Sequence, residues 1–452
     1  MHASRNLAFA GLLLGMAMAQ LDGLIVTAAL PSIGEDLHAR TGLVAVTAAG
    51  LLTLTVATPL HGRFGDLHGR RISFAGSVLV FAAASAWCAA APDLGSLIVA
   101  RALQGLGGSG LIVTAMSALG ELFERDELLR RQGWQAAVFA AATLGGPPLG
   151  GLLAAGPGWR WIFLVNLPLC VPALVLGLRG LPAKPRRTQE KFDAGSSVLL
   201  TVAGSAVVAL GTFDALAKSP LWTPILVGAT AAAGILFVRR QRRTPNPLIS
   251  PKVFADAVLA RAVLVNGLAG AALYGTFTYV ALVAALAAGA AGTGLLLVAM
   301  TAGQLALSAS FAALARRHPD MTAWGRFGCL LGTAGLAAIA VAAALGGSPW
   351  LLAPGLFAIG AAFAVCTSAY TVLGQTRARR ELMGVTLGSL TFARQAGGLA
   401  GAAVFGWFAL ATTGGLTAAG LTVVFGAAAA IMLVAWLTAP AVTSPAAVSS
   451  SS

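Results

Sequence analysis

Apolar residues in this chain come in long runs, and polar residues are largely confined to the short stretches between them. The runs lie at roughly 7–31, 42–61, 72–91, 95–118, 134–154, 161–181, 195–213, 222–238, 262–286, 293–314, 326–346, 350–373, 385–411 and 416–438. Each is near the length of about 20 residues that an α-helix needs to cross a hydrocarbon core. The pattern predicts an all-α, polytopic membrane protein with fourteen transmembrane helices. Two longer basic stretches, about 182–194 and 239–261, bracket the seventh and eighth runs. They divide the chain into an N-terminal six-helix bundle (1–182), a two-helix insert with basic flanking loops (183–245) and a C-terminal six-helix bundle (246–438). The Ala/Ser/Pro-rich stretch 439–452 reads as a disordered tail.

Composition excludes the soluble alternative. The chain is 58% hydrophobic and 10% charged, with mean hydropathy +0.84, against roughly 25% charged residues in an average soluble domain. The net charge of +14 would suggest nucleic acid in a soluble protein. Here the positions of the charges give another reading. With the N-terminus in the cytoplasm, only Arg40, Arg160 and Lys218 of the 29 Lys and Arg residues fall in outer loops. Arg101 and Arg394 fall within helices, and the other 24 lie inside or at inner helix ends. That asymmetry is the positive-inside rule. It predicts an even helix count, both termini cytoplasmic and no nucleic-acid partner. Clusters such as Arg239-Arg240-Gln241-Arg242-Arg243 fit lipid headgroups.

The N-terminus carries a signal-peptide look-alike, with Ala17-Met18-Ala19 resembling a cleavage site. The apolar run continues through Leu24, Ile25, Val26 and Leu30, about twice the usual 7–15-residue signal core, so it is expected to remain as the first helix. Cys88, Cys170, Cys329 and Cys366 all lie in apolar runs without metal-ligand spacing, and read as free packing thiols. His2, His38, His61, His68 and His318 are scattered. There is no GxSxG elbow and no GK[ST] phosphate loop. The chain is therefore not expected to be an enzyme or to hold a cofactor or metal, and any pumping must draw on an ion gradient.

Asp22 is the only acidic residue deep within a predicted span. A carboxylate at the bilayer centre costs about 2.5–3.5 kcal/mol on insertion scales, so it should face protein. It is either a proton site or a structural helix–helix hydrogen bond. Arg101 cannot discharge at physiological pH and needs a counter-charge or carbonyls; Asp22 is the candidate in the same half. A nearby Arg would favour the ionised carboxylate. Arg394 is the second intramembrane cation, with no acid deep in its half and with Gly397, Gly398 and Gly401 beside it to permit close helix approach. Gly62-Arg63-Phe64-Gly65-Asp66-Leu67-His68-Gly69-Arg70-Arg71 reads as either a charge latch or an ordinary basic turn. Gly145-Gly146-Pro147-Pro148-Leu149-Gly150-Gly151 should kink and tightly pack the fifth helix, as a gate or as a static bend.

Together these motifs resemble the major facilitator superfamily and, within it, the fourteen-helix drug:proton antiporters of the EmrB/QacA type. GRFGDLHGRR looks like the signature loop between helices two and three, and LIVARALQGLGG like the conserved-arginine motif of helix four. Gly133 with GGPPLGG (Gly146, Pro147, Gly150 and Gly151) looks like the antiporter motif of helix five, with Ala142 where that motif carries glycine. LDGLIVTAALP and WRWIFLVNLP resemble the helix-one motif and the entry to helix six of that branch. Ala45 and Gly50 replace a usual aromatic pair, and the C-terminal copy of the loop signature, around Ala313 to Arg326, has lost its pattern.

The resemblance implies two six-helix bundles around a central cavity, a rocker-switch cycle and proton-driven export. It implies Arg101 in a proton relay, beside Asp22, the proton site suggested by its place in an apolar run. It implies a conformational latch at Gly62, Asp66, Gly69, Arg70 and Arg71. Polar or aromatic residues on otherwise apolar helices give candidate cavity positions: Gln20, Asn266, Tyr274, Tyr279, Gln304, Thr367, Tyr370 and Arg394. Each could equally be buried at a helix–helix contact. The expected partners are a small organic substrate, protons and the bilayer, with the chain acting as a monomer. Exporters of organic dications in this branch carry further membrane acids, so neutral, zwitterionic, anionic or monocationic amphiphiles are favoured. The alternatives are a nutrient symporter or facilitator and a lipid-handling membrane protein without transport.

Overall fold

The fold follows from apolar stretches that must satisfy their own backbone hydrogen bonds in lipid, which a helix does internally. The computed structural model describes residues 2–38, 43–183, 193, 195–196, 198–200, 202–204, 206, 222–244, 247, 251–346, 349–413 and 417–440. Every regular element among them is helical. The helices are α1 (His2–Asp36), α2 (Val44–His68), α3 (Arg70–Ala90), α4 (Leu94–Leu122), α5 (Arg125–Ala155), α6 (Trp161–Leu164), α7 (Asn166–Gly180) and α8 (Trp222–Arg243). Then come α9 (Pro251–Ala255), α10 (Ala257–Ala269), α11 (Phe277–Arg317), α12 (Met321–Ala344), α13 (Pro349–Arg377), α14 (Met383–Thr413) and α15 (Ala418–Thr438). Among the described residues, ten stretches are long and apolar enough to cross a membrane. Most of the expected seventh run, 195–213, and nearly all of the tail lie outside the described residues.

Two local expectations change. A loop was expected between the runs 262–286 and 293–314, but α11 passes through it as one helix of 41 residues. The Ala-rich sequence there has no proline to stop it, and Gly289 and Gly292 do not end the helix. The break falls earlier, where a π-turn, Gly270–Tyr274, follows α10. Likewise α5 stays helical through Pro147 and Pro148 rather than being interrupted.

The chain forms two compact units. Unit 1 comprises Met1–Phe123, Val138–Val253 and Ala378–Phe392. Within it α4 packs against α1, α2 and α3, while α7 packs against α1 and α3. Gly105 makes the α2–α4 crossing possible: a Cβ there would lie 2.1 Å from the Gly50 carbonyl oxygen. Small residues let helix backbones meet in this way, and dispersion between them replaces the missing hydrophobic drive in lipid. One apolar cluster gathers Ile25, Val26, Ile33, Leu97, Trp159 and Phe163. Another ties Leu52 and Val56 of α2 to Leu200 and to Phe237 of α8.

Unit 2 comprises Glu124–Ala137, Phe254–Arg377 and Ala393–Ser452. Here α13 packs against α11 and α12, and α15 packs against α10 and α12. The glycines of α14 do what their spacing predicts: a Cβ on Gly397 would fall 2.1 Å from the Gly267 carbonyl oxygen. That crossing brings the start of the π-turn against the backbone of Arg394.

Candidate functional site

Asp22 sits two-thirds of the way along α1 and is only 6% exposed. One carboxylate oxygen accepts a hydrogen bond from Arg101 Nη1 at 2.5 Å. The other accepts from Gln104 Nε2 at 2.7 Å and from Asn166 Nδ2 at 3.2 Å. Arg101 also donates to Gln104 Oε1 at 2.5 Å and to the Val46 carbonyl at 3.4 Å, and lies 5.8 Å from the Phe163 ring centre. Ser85 closes the network by accepting from Gln104 at 2.8 Å. Three helices, α1, α4 and α7, thus meet at one carboxylate, and α2 and α3 hold its partners through Val46 and Ser85. Helical geometry explains part of this: Arg101 and Gln104 are three apart and share a face of α4. The pair expected from sequence is present, and it carries amide partners that the sequence reading did not select. Asn166, a polar residue opening an apolar helix, was the available signal.

Asp66 lies near the end of α2, 3% exposed, and ion-pairs with Arg70 one turn on, across the α2–α3 junction. Its two oxygens also accept the Gly384 and Val385 backbone N–H groups, each at 2.9 Å. Those are free donors in the first turn of α14, where a helix leaves its N–H groups unsatisfied and favours negative charge. Arg70 in turn donates to Glu121 at the end of α4 at 2.8 Å, a partner not foreseen. Gly69 makes the tight turn with φ of 90°, in the left-handed region. Gly62 lets α14 approach, since a Cβ there would sit 2.3 Å from the Gly384 carbonyl oxygen. Arg71 is half-buried and joins none of these bonds.

Of the fifth-helix motif, Gly146 packs on α1 next to Asp22: its Cβ position is 2.8 Å from Leu24 Cβ. Gly150 is buried, while Gly151 faces open space. Pro147 is described by its helical backbone alone. Gly133 belongs to unit 2, where its nearest neighbour, the Ser308 carbonyl oxygen, is 3.9 Å from its Cβ position. Close packing is thus seen at Gly146 but is absent at Gly133 and Gly151.

Four of the candidate cavity residues meet in unit 2. Asn266, Tyr274, Thr367 and Arg394 line one cavity of about 10 Å³ with Leu273, Phe363 and Cys366. Arg394 lies beside the Tyr274 phenol on the wall of this cavity. Asn266 donates to the Ala262 carbonyl at 2.9 Å. The other unit 2 candidates do not line this cavity. Tyr279 donates to the Ala402 carbonyl at 2.7 Å, Gln304 is buried at the α11–α13 crossing, and Tyr370 packs on Gly325 beside Cys329. Gln20 is half-buried in α1. A wider crevice of about 250 Å³ in unit 1 is lined by residues of α2, α3 and α4, among them His61, which is bonded to Ser109.

The profile of the Major Facilitator Superfamily matches residues 12–402 of the chain. The chain belongs to this superfamily. Among curated relatives, it is 31% identical over 281 residues to multidrug transporter protein MdtP of Bacillus subtilis, covering 62% of this chain and 52% of MdtP. It is 34% identical over 258 residues to multidrug resistance protein Stp of Mycobacterium tuberculosis, covering 55% of this chain and 47% of that protein. The chain spans about half the length of the curated relatives it matches. In fold it is similar to the human organic anion transporter MFSD10, with TM-score 0.71, 14% identity, and coverage of 96% of this chain and 99% of that one. This major facilitator protein is therefore all-helical and polytopic, with helices able to span a membrane.

Proposed function

We propose that this major facilitator protein is a proton-coupled secondary antiporter that exports hydrophobic small organic molecules, drugs or a natural product, across the plasma membrane. The observation that carries the reading is the Asp22–Arg101 pair, a carboxylate held inside an apolar bundle by three donors from two other helices. Such a group can exchange a proton for a change in its partners. When Asp22 is ionised, it holds Arg101, Gln104 and Asn166 around it. When it takes a proton, Arg101 loses its counter-charge and keeps Gln104 Oε1 and the Val46 carbonyl as acceptors. Substrate arrival that rearranges α1 or α4 changes the same balance and so expels the proton. Gly146, packed on α1 two residues from Asp22, couples α5 to that movement. Asp66, gripping the start of α14, acts as the latch with Gly62, Gly69, Arg70 and Arg71. The multidrug names of the relatives support the substrate class.

The same reading takes fourteen helices, arranged as bundles 1–182 and 246–438 around the insert 183–245, with both termini cytoplasmic and the chain working as a monomer. The decisive experiment is transport in inside-out vesicles with an acidic interior. Wild-type protein should concentrate an amphiphilic dye inside, and dissipating the proton gradient or substituting Asp22→Asn should abolish the accumulation. Accumulation that persists unchanged in Asp22→Asn overturns the coupling assignment. Movement of substrate only in the direction of proton flow identifies a symporter instead.

A further inference from the structure

Among the described residues, no acid pairs with Arg394: in unit 2, Glu127 pairs with Arg131 and Asp256 with Arg377, while Glu124 and Asp126 are exposed. From residue 257 to the C-terminus the sequence holds only two acidic residues, Asp320 and Glu381. Asp320 caps the start of α12 through the N–H groups of Thr322 and Ala323, and Glu381 belongs to unit 1. Within unit 2, Arg394 instead meets a neutral phenol, that of Tyr274. Its Nε–H is buried with no acceptor at all. A guanidinium stays charged at any physiological pH, and a buried donor without an acceptor is costly. The arrangement is thus short of one anionic acceptor.

The fold holds this shortage in place. The π-turn Gly270–Tyr274 adds a residue to the helical turn and changes the direction in which Tyr274 points, a distortion that recurs at functional sites. Gly270 has no room for a side chain because the Arg394 backbone lies on it, so the two elements that carry Tyr274 and Arg394 are locked together. Around the polar pair the cavity offers Asn266 and Thr367 as hydrogen-bonding groups. Its apolar side is formed by Ala269, Leu273 and Phe363; the Phe363 ring lies 4.7 Å from that of Tyr274 between centres and is backed by Phe277 at 6.1 Å. As it stands, the cavity admits little more than a water molecule. Helix movement during a transport cycle would widen it.

We propose that this cavity is an anion-accepting subsite: Arg394 and Tyr274 take the carboxylate or similar acidic group of an aromatic amphiphile, whose ring packs on Phe363. The inference rests on reading this cavity as substrate-facing, and it narrows the substrate class to organic anions. An anion supplies both the acceptor that Arg394 Nε–H lacks and a counter-charge for its guanidinium. A cation gains neither, and would be repelled.

The test uses the full-length purified chain in lipid nanodiscs, without any gradient, and three probes that share one ring: 1-naphthoate, its methyl ester and 1-naphthylmethylammonium. Calorimetric titration of the wild type should give 1-naphthoate roughly tenfold tighter binding than the ester, as one charge-assisted contact warrants, and weaker binding still for the ammonium. Arg394→Gln should bring acid and ester within about twofold of each other, and Arg394→Lys should keep part of the preference. Thermal unfolding of each variant separates loss of the subsite from loss of the fold. Because these titrations are made at equilibrium without a gradient, a failure of proton coupling in vesicles leaves this result standing. Equal binding of acid and ester to the wild type, tighter binding of the ammonium, no binding of any probe, or an unchanged preference in Arg394→Gln would each overturn the proposal.

Discussion

Asp66 and Gly384 are 318 positions apart, yet the carboxylate of one accepts the backbone N–H of the other at 2.9 Å. With Val385 as second donor and Arg70 as counter-charge, Asp66 serves as the N-terminal cap of α14, supplied from another helix. Capping normally comes from the residue just before the helix. Supplying it from α2 makes the first turn of α14 depend on where α2 is.

Asp66→Ala should therefore loosen the start of α14 selectively. Hydrogen bonds to a charged group contribute about 1.5–3 kcal/mol each, so exchange of the Gly384 and Val385 amides should accelerate at least tenfold. Hydrogen–deuterium exchange of a peptide covering 380–390 reads this directly, with a peptide from α12 as the reference. Equal exchange in wild type and variant would show that α14 does not depend on the cap.

The Asp22–Arg101 pair should show strong energetic coupling. Asp22→Asn leaves a buried guanidinium without its counter-charge, and Arg101→Met leaves a buried carboxylate with only amide donors. Breaking one side of a buried pair costs about 3–5 kcal/mol, whereas removing both removes two desolvated charges together. The double variant should unfold at a higher temperature than either single variant. Additive losses in a thermal-unfolding cycle would mean the two side chains contribute independently.

How much of this was legible in the sequence depended on how rare each residue type is in its setting. Asp22 and Arg101 stand out because charges in apolar runs are expensive, and with one acid deep in the apolar runs of that half Asp22 is the natural candidate partner. Gln104 and Asn166 carry no charge, so their convergence on Asp22 needed the packing of α4 and α7. The proximity of Gly397 to another helix was readable from its spacing, but the identity of that helix was not. The π-turn before Tyr274 shifts the helical register, and a register shift cannot be found by counting residues at 3.6 per turn. The same counting placed a loop near 287–292 because glycines often mark turns; inside α11 they do not.

A second ion pair predicts where acid becomes important. Asp193 accepts from Arg240 Nη2 at 2.8 Å and also from Ser196. Burial pushes its carboxyl upward, but hydrogen bonds from Arg240 and Ser196 and the nearby positive charge outweigh this and hold it at about 2. A depressed carboxylate stabilises the fold above its unfolded value, near 3.8, and loses that contribution as pH falls through about 2. The difference in unfolding temperature between wild type and Asp193→Asn should be constant from pH 8 to 5 and shrink below about pH 4. A difference that already shrinks between pH 7 and 5 would show that Arg240 does not hold Asp193 in solution.

The two glycines at either side of the fifth-helix prolines should respond differently to alanine. Gly146→Ala places a methyl group 2.8 Å from Leu24 Cβ, an atom fixed by the α1 backbone, so α5 and α1 must separate. Overpacking of this kind costs about 1–3 kcal/mol. It should also reduce efflux, because the displaced segment of α1 carries Asp22. Gly151→Ala meets nothing within 4 Å, and alanine is a better helix former by about 1 kcal/mol. Its unfolding temperature should hold or rise. Efflux then discriminates between roles for the second glycine. Retained transport in Gly151→Ala means that close packing at Gly146 alone carries the motif's effect. Lost transport with a stable fold means that another helix must approach Gly151 in a different conformation of the cycle.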